Sequence, residues 1–219
     1  MSEEVKEIAA AQPAEGDLRR KKMDAMFHFL YVVIWPFFNL FRPVKAIGRE
    51  HIPDGPAVIC PNHTTAADPF YVVFAFGHKY PMRAMAKIQI MRLPLIGWLL
   101  SKAGVFGVDR GAADMKAVKT ALKILKDGDK LLMFPEGTRV HEGEHVEAKT
   151  GAALFAARTG VPLLPVYIQP NKRAFRFNTV VIGEPYQPTF AGRKPTAEEL
   201  QNIAHDLLDR VHALGEQIK

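Results

Sequence analysis

A histidine and an aspartate separated by four residues form the strongest chemical signal in this chain. They are His63 and Asp68, in the segment PNHTTAADP. A neutral imidazole can remove a proton from an alcohol near neutral pH, and a nearby carboxylate can fix its tautomer and stabilise the imidazolium that forms. The simpler alternative for Asp68 is a helix cap, because Pro69 follows it and proline is favoured at the first helical position. One residue could serve both roles.

Two further segments offer groups that suit a phosphate. In FPEGTR, residues 134–139, Gly137 allows close backbone approach and Arg139 presents a planar donor fork. In GVFGVDR, residues 104–110, Arg110 follows a short apolar run. The alternatives are an ordinary turn with a solvated arginine in the first segment, and a surface pair between Asp109 and Arg110 in the second.

Covalent nucleophiles are nearly absent. The one cysteine, Cys60, excludes an intramolecular disulfide, fits a reducing compartment and ends the run AVIC, which is typical of a buried strand. Neither serine, Ser2 or Ser101, lies in a G-x-S-x-G segment. The chemistry therefore favours base catalysis by His63 over a covalent intermediate.

The segment HEGEH, residues 141–145, matches the spacing of a zinc-protease motif. That motif needs a stable helix to place both histidines on one face. Gly143 and the polar surroundings argue against such a helix, so we expect no metal site there.

The overall charge limits the class of partner. The chain of 219 residues has a formal net charge of +6 and 48% hydrophobic residues. Such a balance suits nucleic acid, anionic lipid or phosphorylated small molecules. No zinc-finger spacing or RNA-binding aromatic signature is present, so we expect no nucleic-acid partner.

Three segments organise the chain. Residues 1–22 lack apolar periodicity and predict a mobile polar tail. Residues 23–43 contain Ala25 to Phe41, an aromatic run without Asp, Glu, Lys or Arg and with basic residues on both sides. As a helix this run would measure about 25 Å, short of the ~30 Å hydrocarbon core, which favours a helix lying in the membrane interface. A buried core helix and a spanning anchor remain alternatives.

Residues 44–219 alternate short apolar runs with helical patterns. This alternation predicts one α/β domain with a mostly parallel central sheet flanked by helices. The apolar run from Ile88 to Leu100 indicates either a lipid-facing surface, a tunnel for an apolar chain or ordinary core. The predicted strands are 57–60, 82–86, 105–108, 130–134, 163–168 and 179–182, and the predicted helices are 69–76, 115–126, 151–158 and 196–217.

With the strand VPLLPVYI at 161–168, these segments occur in an order that resembles the lysophospholipid acyltransferase family. The resemblance covers about residues 44–185 and is nearest to the bacterial 1-acylglycerol-3-phosphate acyltransferases. It implies that His63 and Asp68 are catalytic. Thr65 stands where the family often has serine, and it keeps the hydroxyl. The resemblance also implies a glycerol-phosphate site formed by Lys87, Arg110, Glu136, Gly137, Thr138 and Arg139.

The resemblance implies acyl transfer from acyl-CoA or acyl carrier protein to 1-acylglycerol-3-phosphate, giving phosphatidic acid in phospholipid biosynthesis without a cofactor. The expected location is the cytoplasmic face of the membrane, peripheral or monotopic, with membrane lipids as partners. Glu136 would orient an arginine or bind the glycerol, and backbone N–H groups near His63 would stabilise the oxyanion. The alternatives are transfer to another lysolipid or to glycerol-3-phosphate, and a non-catalytic lipid-binding membrane protein.

Overall fold

The computed structural model describes residues 3–109, 114–140 and 147–218, with side chains from residue 16 onward. Within these residues seven strands form one sheet: β1 (Val44–Ile47), β2 (Val58–Pro61), β3 (Met82–Lys87), β4 (Phe106–Val108), β5 (Lys130–Leu132), β6 (Leu163–Ile168) and β7 (Asn178–Ile182). The helices are α1 (Glu3–Phe41), α2 (Asp68–Phe76), α3 (Ile88–Met91), α4 (Pro94–Lys102), α5 (Met115–Lys126), α6 (Gly151–Thr159) and α7 (Ala197–Glu216), with a 3-10 turn at Arg49–His51. The predicted α/β domain is confirmed.

The order of the strands brings the predicted site residues to one edge. The order is β1-β7-β6-β2-β5-β3-β4, and only β6 and β7 pair antiparallel. The strands β6, β2, β5, β3 and β4 therefore share one edge at their carboxyl ends. Ligands of open α/β sheets usually bind at that edge. Each predicted site residue that the structure describes ends or follows one of these strands.

Helices cover both faces of the sheet. In β2, Ile59 packs among side chains of α1 and α2, whereas Val58 and Cys60 pack among those of α5, α6 and α7. Successive side chains of a strand point to opposite faces, so a strand buried on both sides reads as an uninterrupted apolar run. This is why AVIC predicts a central strand.

Strand β1 is missing from the sequence predictions. It has four residues, with the exposed Lys45 between two half-buried apolar side chains. Its place is set by partners far along the chain, since Val44 pairs with Asn178 and Ile47 with Val181 in β7. A strand this short carries too little pattern to be recognised alone.

The first helix begins earlier than the sequence predicts. Helix α1 starts at Glu3, inside the segment that we expected to form a mobile tail. Arg20 holds this part of the helix on the domain. Its Nε lies 2.8 Å from Asp129 Oδ1, and its guanidinium donates to the carbonyl oxygens of Asp127 and Gly128. The tail prediction is therefore wrong for residues 16–22, because it rested on local pattern and these contacts are long-range.

A buried arginine continues this attachment. Arg83 in β3 is 1% exposed, and its Nη2 donates a 2.6 Å hydrogen bond to Asp24 Oδ1 of α1. Its Nε lies 3.2 Å from Asp129 Oδ2. A buried guanidinium requires such carboxylate partners, so α1 and the start of β5 are joined through β3.

One face of α1 packs on the domain and the other is exposed. Phe27 is buried, and Tyr31 and Phe38 contact the rings of Phe74 and Tyr71 at 5.2 and 5.0 Å between centroids. The outer face carries large apolar side chains that are 46–69% exposed: Phe29, Val32, Val33, Phe37 and Leu40.

This helix is not a buried core helix, because only 6% of its apolar window is buried. Residues Gly16–Phe41 are long and apolar enough to cross a membrane by length and composition. At 1.5 Å per residue they span about 39 Å, so length does not separate an interfacial from a spanning helix. The helix that we expected from Ala25 to Phe41, about 25 Å long, was therefore predicted too short.

Helices α3 and α4 account for the apolar run 88–100. Leu93, Leu95, Ile96 and Trp98 are 47–69% exposed, and α4 contacts α1. These four side chains therefore do not form ordinary core. They lie on a second exposed apolar surface beside the first helix.

Candidate active site

The segment between β2 and α2 holds His63 in a turn that is fixed on both sides. Asn62, just before it, is buried and brackets the end of β6. Its amide group donates to the Ile168 carbonyl oxygen at 3.0 Å and accepts from the Ile168 N–H at 2.6 Å. The His63 carbonyl oxygen accepts from Val140 N–H at 2.8 Å. The turn is thus positioned by the two strands next to β2.

The imidazole of His63 has one nitrogen held and one unused. Its Nδ1 lies 3.0 Å from Asp68 Oδ2, and its ring stacks on Phe134 at 3.9 Å between centroids. Nε2 forms no hydrogen bond within the residues that the structure describes. With an ionised Asp68 the shared proton sits on Nδ1, which leaves the lone pair of Nε2 to accept a proton.

Asp68 is fully buried and receives hydrogen bonds on both oxygens. Oδ2 accepts from the N–H groups of Thr64 and Thr65 at 2.6 and 2.7 Å, and Oδ1 accepts from Thr65 Oγ1 at 2.7 Å. Lys172 Nζ lies 2.7 Å from Oδ1. Burial alone would raise the pKa of Asp68, yet the hydrogen bonds from His63, Lys172 and Thr65 and the charge of Lys172 together hold it well below its usual range. The carboxyl is therefore ionised.

The helix-cap role considered for Asp68 is wrong. The N-cap position of α2 is Ala67, and no side chain there accepts a capping hydrogen bond. Asp68 is the first residue of the helix, with Pro69 second, and its carboxylate turns back to the N–H groups that precede it. Those groups close the turn around His63 instead of capping the helix.

Lys172 is a site residue that the sequence analysis did not find. It follows β6 and is buried, although lysine is usually exposed. Its Nζ donates to Thr64 Oγ1 at 2.6 Å as well as contacting Asp68, and it lies 5.6 Å from the ring centroid of Tyr71. The sequence PNKR between two strands resembles a solvated turn, so only the adjacency of β6 and β2 reveals this contact.

Glu136 also joins the histidine. It is buried, and its Oε2 accepts from the backbone N–H of His63 at 2.8 Å. Burial raises the pKa of Glu136 to about 7; the hydrogen bond from His63 opposes this and the charge of Asp68 adds to it. Among the described residues Glu136 contacts no arginine. Its observed role is to fix the backbone of His63, which was neither of the two roles expected.

The residues after Glu136 turn outward. Gly137 has φ +70°, a left-handed conformation, and an added Cβ would lie 3.1 Å from Lys149 Cγ. Glycine adopts this positive φ readily and, having no Cβ, leaves room for the Lys149 side chain. Thr138 and Arg139 are exposed, and within the described residues Arg139 forms no ion pair. They are free to contact a ligand at the edge of the sheet.

Lys87 lies at the same edge. It ends β3, is exposed, and pairs in register with Val108, the last residue of β4. Arg110 lies outside the described residues, as does the HEGEH segment. The structure thus brings His63, Asp68 and Glu136 into contact, and it leaves Lys87 and Arg139 at the edge without contacts to them.

Other candidates for chemistry are buried or already engaged. Cys60 is buried on the α5–α7 face, and burial strongly raises the pKa of its thiol. Ser101 Oγ donates to the Trp98 carbonyl oxygen at 2.7 Å on the surface. In the described parts of the chain no three His, Cys, Asp or Glu residues form a group suited to a metal ion.

Three of the backbone N–H groups near His63 that we considered as oxyanion donors are already engaged. The backbone N–H groups of His63, Thr64 and Thr65 all donate to the carboxylates of Glu136 and Asp68. They hold the turn together and are not available to a substrate. Any oxyanion donor near His63 is therefore a group other than these three.

Curated relatives are similar in sequence to this chain over much of its length. A 1-acyl-sn-glycerol-3-phosphate acyltransferase of Bacillus subtilis is 29% identical over 200 residues, which are 88% of this chain and 98% of that protein. A chloroplast 1-acyl-sn-glycerol-3-phosphate acyltransferase of Brassica napus is 32% identical over 146 residues, 64% of this chain and 42% of that protein. The chain spans about two fifths of the length of the chloroplast relatives.

A solved structure shares the fold. The 1-acyl-sn-glycerophosphate acyltransferase PlsC of Thermotoga maritima superposes with a TM-score of 0.61 over 90% of this chain and 78% of its own, at 23% identity. The family model described as Acyltransferase matches residues 43–169, which include the His63–Asp68 pair, Lys87 and the segment 136–139. Because this match covers more than half of the sequence and contains the histidine–aspartate pair seen in contact here, the chain belongs to the acyltransferase family.

Proposed function

We propose that this chain transfers a fatty acyl group from a thioester, acyl-CoA or acyl carrier protein, to the free hydroxyl of 1-acylglycerol-3-phosphate, giving phosphatidic acid. The observation that carries the proposal is the buried carboxylate of Asp68 between His63 and Lys172, with Nε2 of His63 unused. The names of the relatives support this choice of substrate, above all the Bacillus subtilis protein, which is matched over nearly its whole length.

In the proposed reaction His63 Nε2 removes the proton of the acceptor hydroxyl as its oxygen attacks the thioester carbonyl. The new C–O bond forms, the C–S bond breaks, and the imidazolium returns the proton to the departing thiolate. Asp68 stays ionised and stabilises the imidazolium. The buried cation of Lys172 keeps that carboxylate charged, and Glu136 fixes the backbone of the base.

The phosphate of the acceptor would bind at the exposed edge beside this pair. We assign it to Arg139, Lys87 and Arg110, with Gly137 and Thr138 allowing close backbone approach. An arginine fork matches a phosphate geometrically, and holding the phosphate positions the hydroxyl for attack. The reaction needs no cofactor beyond the thioester.

The substrates are lipids, so we place the protein on the cytoplasmic face of the membrane, with membrane lipids and the thioester carrier as its partners. Helix α1 packs along the domain through Phe27, Tyr31 and Phe38. A helix that crossed the bilayer would leave those contacts. The outer apolar face of α1 suits the membrane interface instead, and we propose a peripheral or monotopic attachment. The membrane-associated segment would be residues 23–43 and the acyltransferase domain residues 44–219.

An acceptor screen tests the substrate. Purified full-length protein is incubated with a labelled donor, either acyl-CoA or acylated carrier protein, together with one acceptor at a time: 1-acylglycerol-3-phosphate, another lysolipid or glycerol-3-phosphate. We expect label in phosphatidic acid. Label in another lysolipid product would reassign the acceptor, and no label from either acyl-CoA or acylated carrier protein would favour a non-catalytic lipid-binding protein.

The base is tested by His63→Ala. We expect transfer to fall by roughly 10²–10⁴-fold, the usual contribution of a general base, while circular dichroism shows a folded protein. His212→Ala, on the exposed side of α7, is the matched control and should keep full activity. Near-normal turnover in the His63 variant would contradict the mechanism.

A further inference from the structure

The loop between β6 and β7 exposes two large aromatic rings. We call residues 173–177, with the sequence RAFRF, the aromatic tip. Phe175 and Phe177 are 70% and 69% exposed, and Arg173 and Arg176 alternate with them. Large apolar side chains exposed together to this extent mark an interaction surface.

The aromatic tip is held rigidly. The buried Asn178 accepts from Arg173 N–H at 2.8 Å and donates to the Arg173 and Arg176 carbonyl oxygens at 3.0 and 2.8 Å. Phe175 has φ +58°, a left-handed conformation that is unfavourable for a bulky residue. Hydrogen bonds to Asn178 thus hold a backbone conformation that presents both rings to solvent at some energetic cost.

The aromatic tip continues the exposed face of α1. Phe175 N–H donates to the Phe41 carbonyl oxygen at 2.7 Å, and the two rings lie 5.6 Å apart between centroids. Just before Phe41 on the helix, Phe37 and Leu40 are strongly exposed. One apolar surface therefore runs from the helix onto the loop.

The two segments that form this surface carry charge of one sign. No acidic residue occurs between 25 and 49 or between 169 and 183, whereas Arg42, Lys45, Arg173 and Arg176 do. In the residues that the structure describes, neither arginine of the aromatic tip forms an ion pair. Basic side chains alternating with aromatic rings complement an anionic lipid surface, where rings enter the acyl boundary and cations meet the headgroups.

We propose that the aromatic tip inserts into an anionic bilayer as a second membrane anchor beside α1. This goes beyond the proposed reaction and does not depend on it. Lys172, which contacts Asp68, immediately precedes the aromatic tip. Docking of the tip therefore places the carboxylate–histidine pair next to the lipid surface.

Single-tryptophan variants test insertion. The two natural tryptophans, Trp35 and Trp98, are replaced by Phe, and Phe177→Trp is added to the full-length chain. Vesicles of phosphatidylcholine with phosphatidylglycerol, carrying brominated acyl chains, should shift its emission to shorter wavelength and quench it. Asn202→Trp in the same background, on the exposed side of α7 across the sheet, should respond to neither.

A variant that keeps only Trp35, in α1, reports whether the protein binds vesicles at all. If Trp35 responds and the tryptophan at 177 does not, α1 docks alone and the proposal is overturned. A response of the 177 reporter to an acidic carrier protein but not to vesicles would also overturn it, because the aromatic tip would then be a protein-docking surface.

Charge is tested separately with Arg173→Gln and Arg176→Gln combined. Each basic side chain at an anionic surface strengthens binding about fivefold, so partitioning onto the anionic vesicles should fall on the order of 25-fold. Partitioning onto pure phosphatidylcholine should barely change. The control pair Arg193→Gln and Lys194→Gln, exposed before α7, should bind as the parent does. Equal loss in both pairs would mean a response to net charge alone and would overturn the proposal.

Discussion

Five donor groups converge on the carboxylate of Asp68, and they explain how a fully buried acid stays charged. They come from His63, Thr64, Thr65 twice and Lys172. Without them burial would favour the neutral acid. The charge in turn determines which nitrogen of His63 carries the proton, so the tautomer that leaves the Nε2 lone pair free depends on contacts well beyond the pair itself.

Removing the buried cation tests this dependence. Burial alone would raise the pKa of Asp68, and the hydrogen bonds and charge of Lys172 help to lower it. A carboxyl with a depressed pKa loses its contribution as the pH falls through that pKa. In Lys172→Met the pKa of Asp68 rises, so we expect a lower kcat and an acid limb of the kcat–pH profile that moves to higher pH.

The shape of that profile separates positioning from general damage. A purely structural role for Lys172 would lower kcat evenly across the pH range. Lys194→Met, which removes an exposed cation, is the matched control and should leave the profile unchanged.

Glu136 gives the folding stability a defined pH dependence. Its pKa is raised from 4.5 to about 7 in the folded protein. The folded state thus binds the proton more tightly than the unfolded chain, and the free energy of unfolding falls as the pH rises from about 4.5 to about 7, by roughly 3 kcal/mol. Glu136→Gln keeps an acceptor for the His63 N–H and should remove this decrease.

Urea denaturation of both proteins at pH 5 and pH 8 measures the effect. The difference between wild type and Glu136→Gln isolates this residue from the other titrating groups. Glu184→Gln, at an exposed position, should follow the wild type. Parallel curves for wild type and Glu136→Gln would contradict the assignment.

At the residue scale, sequence spacing predicted the contact that is local and missed those that are not. His63 and Asp68 share one turn, so their pairing is visible in the sequence. Lys172 and Glu136 reach that turn from strands β6 and β5, the two neighbours of β2. The local sequence pattern does not reveal the order of strands in a sheet. Without that order, neither the contact of Lys172 nor that of Glu136 could be predicted.

At the scale of elements, helix α1 is part of the folded domain. Asp129 receives Arg20 from α1 and the buried Arg83 from β3. Asp129→Ala leaves Arg83 with one carboxylate partner, and breaking a buried pair typically costs about 3–5 kcal/mol. We expect a marked fall in Tm and faster proteolysis of the α1 segment.

Asp127→Ala is a control two residues away. Asp127 pairs with Lys123 at 2.8 Å on the surface of α5, where such a pair contributes less than about 0.5 kcal/mol. Equal losses in the Asp129 and Asp127 variants would mean that the buried pair does not hold the helix.

Elements with a clear apolar pattern were predicted almost to the residue, whereas very short elements and those positioned by distant contacts were not. Helix α5 and strand β6 have the predicted bounds, because the apolar positions of α5 follow a helical period and β6 is one uninterrupted apolar run. Strand β1 is too short to show a period, and the start of α1 depends on Arg20 and Asp24 contacting residues in the sheet. Tertiary contacts decide such elements, and their partners lie outside any local window.

At the scale of the whole molecule, the apolar surface reaches the site. Phe70, two residues after Asp68, is partly exposed and contacts Phe38 of α1 at 5.9 Å between ring centroids. A lipid at this surface is therefore within one helical turn, along α2, of the buried carboxylate. For the proposed reaction, this arrangement favours an acceptor that enters from the bilayer and not from water.

The two faces of α1 can be separated experimentally. Deleting the helix would expose the core that Phe27 helps to fill, so loss of membrane binding could then reflect unfolding. Val32→Ser, Phe37→Ser and Leu40→Ser together change only the exposed face. We expect much less of this triple variant than of the wild type to sediment with anionic vesicles, with a Tm close to that of the wild type, because those side chains contribute little to packing.

Substitutions on the face of α1 that packs against the domain should instead lower the Tm. Tyr31→Ser and Phe38→Ser remove rings that pack on the core of the domain. These variants should lower the Tm, since truncating a packed aromatic ring typically costs about 3–5 kcal/mol when it is fully buried and less at half-buried positions such as these. If the outward triple variant lowers the Tm as much and still sediments with vesicles, then the exposed face of α1 packs within the protein and another surface carries the membrane contact.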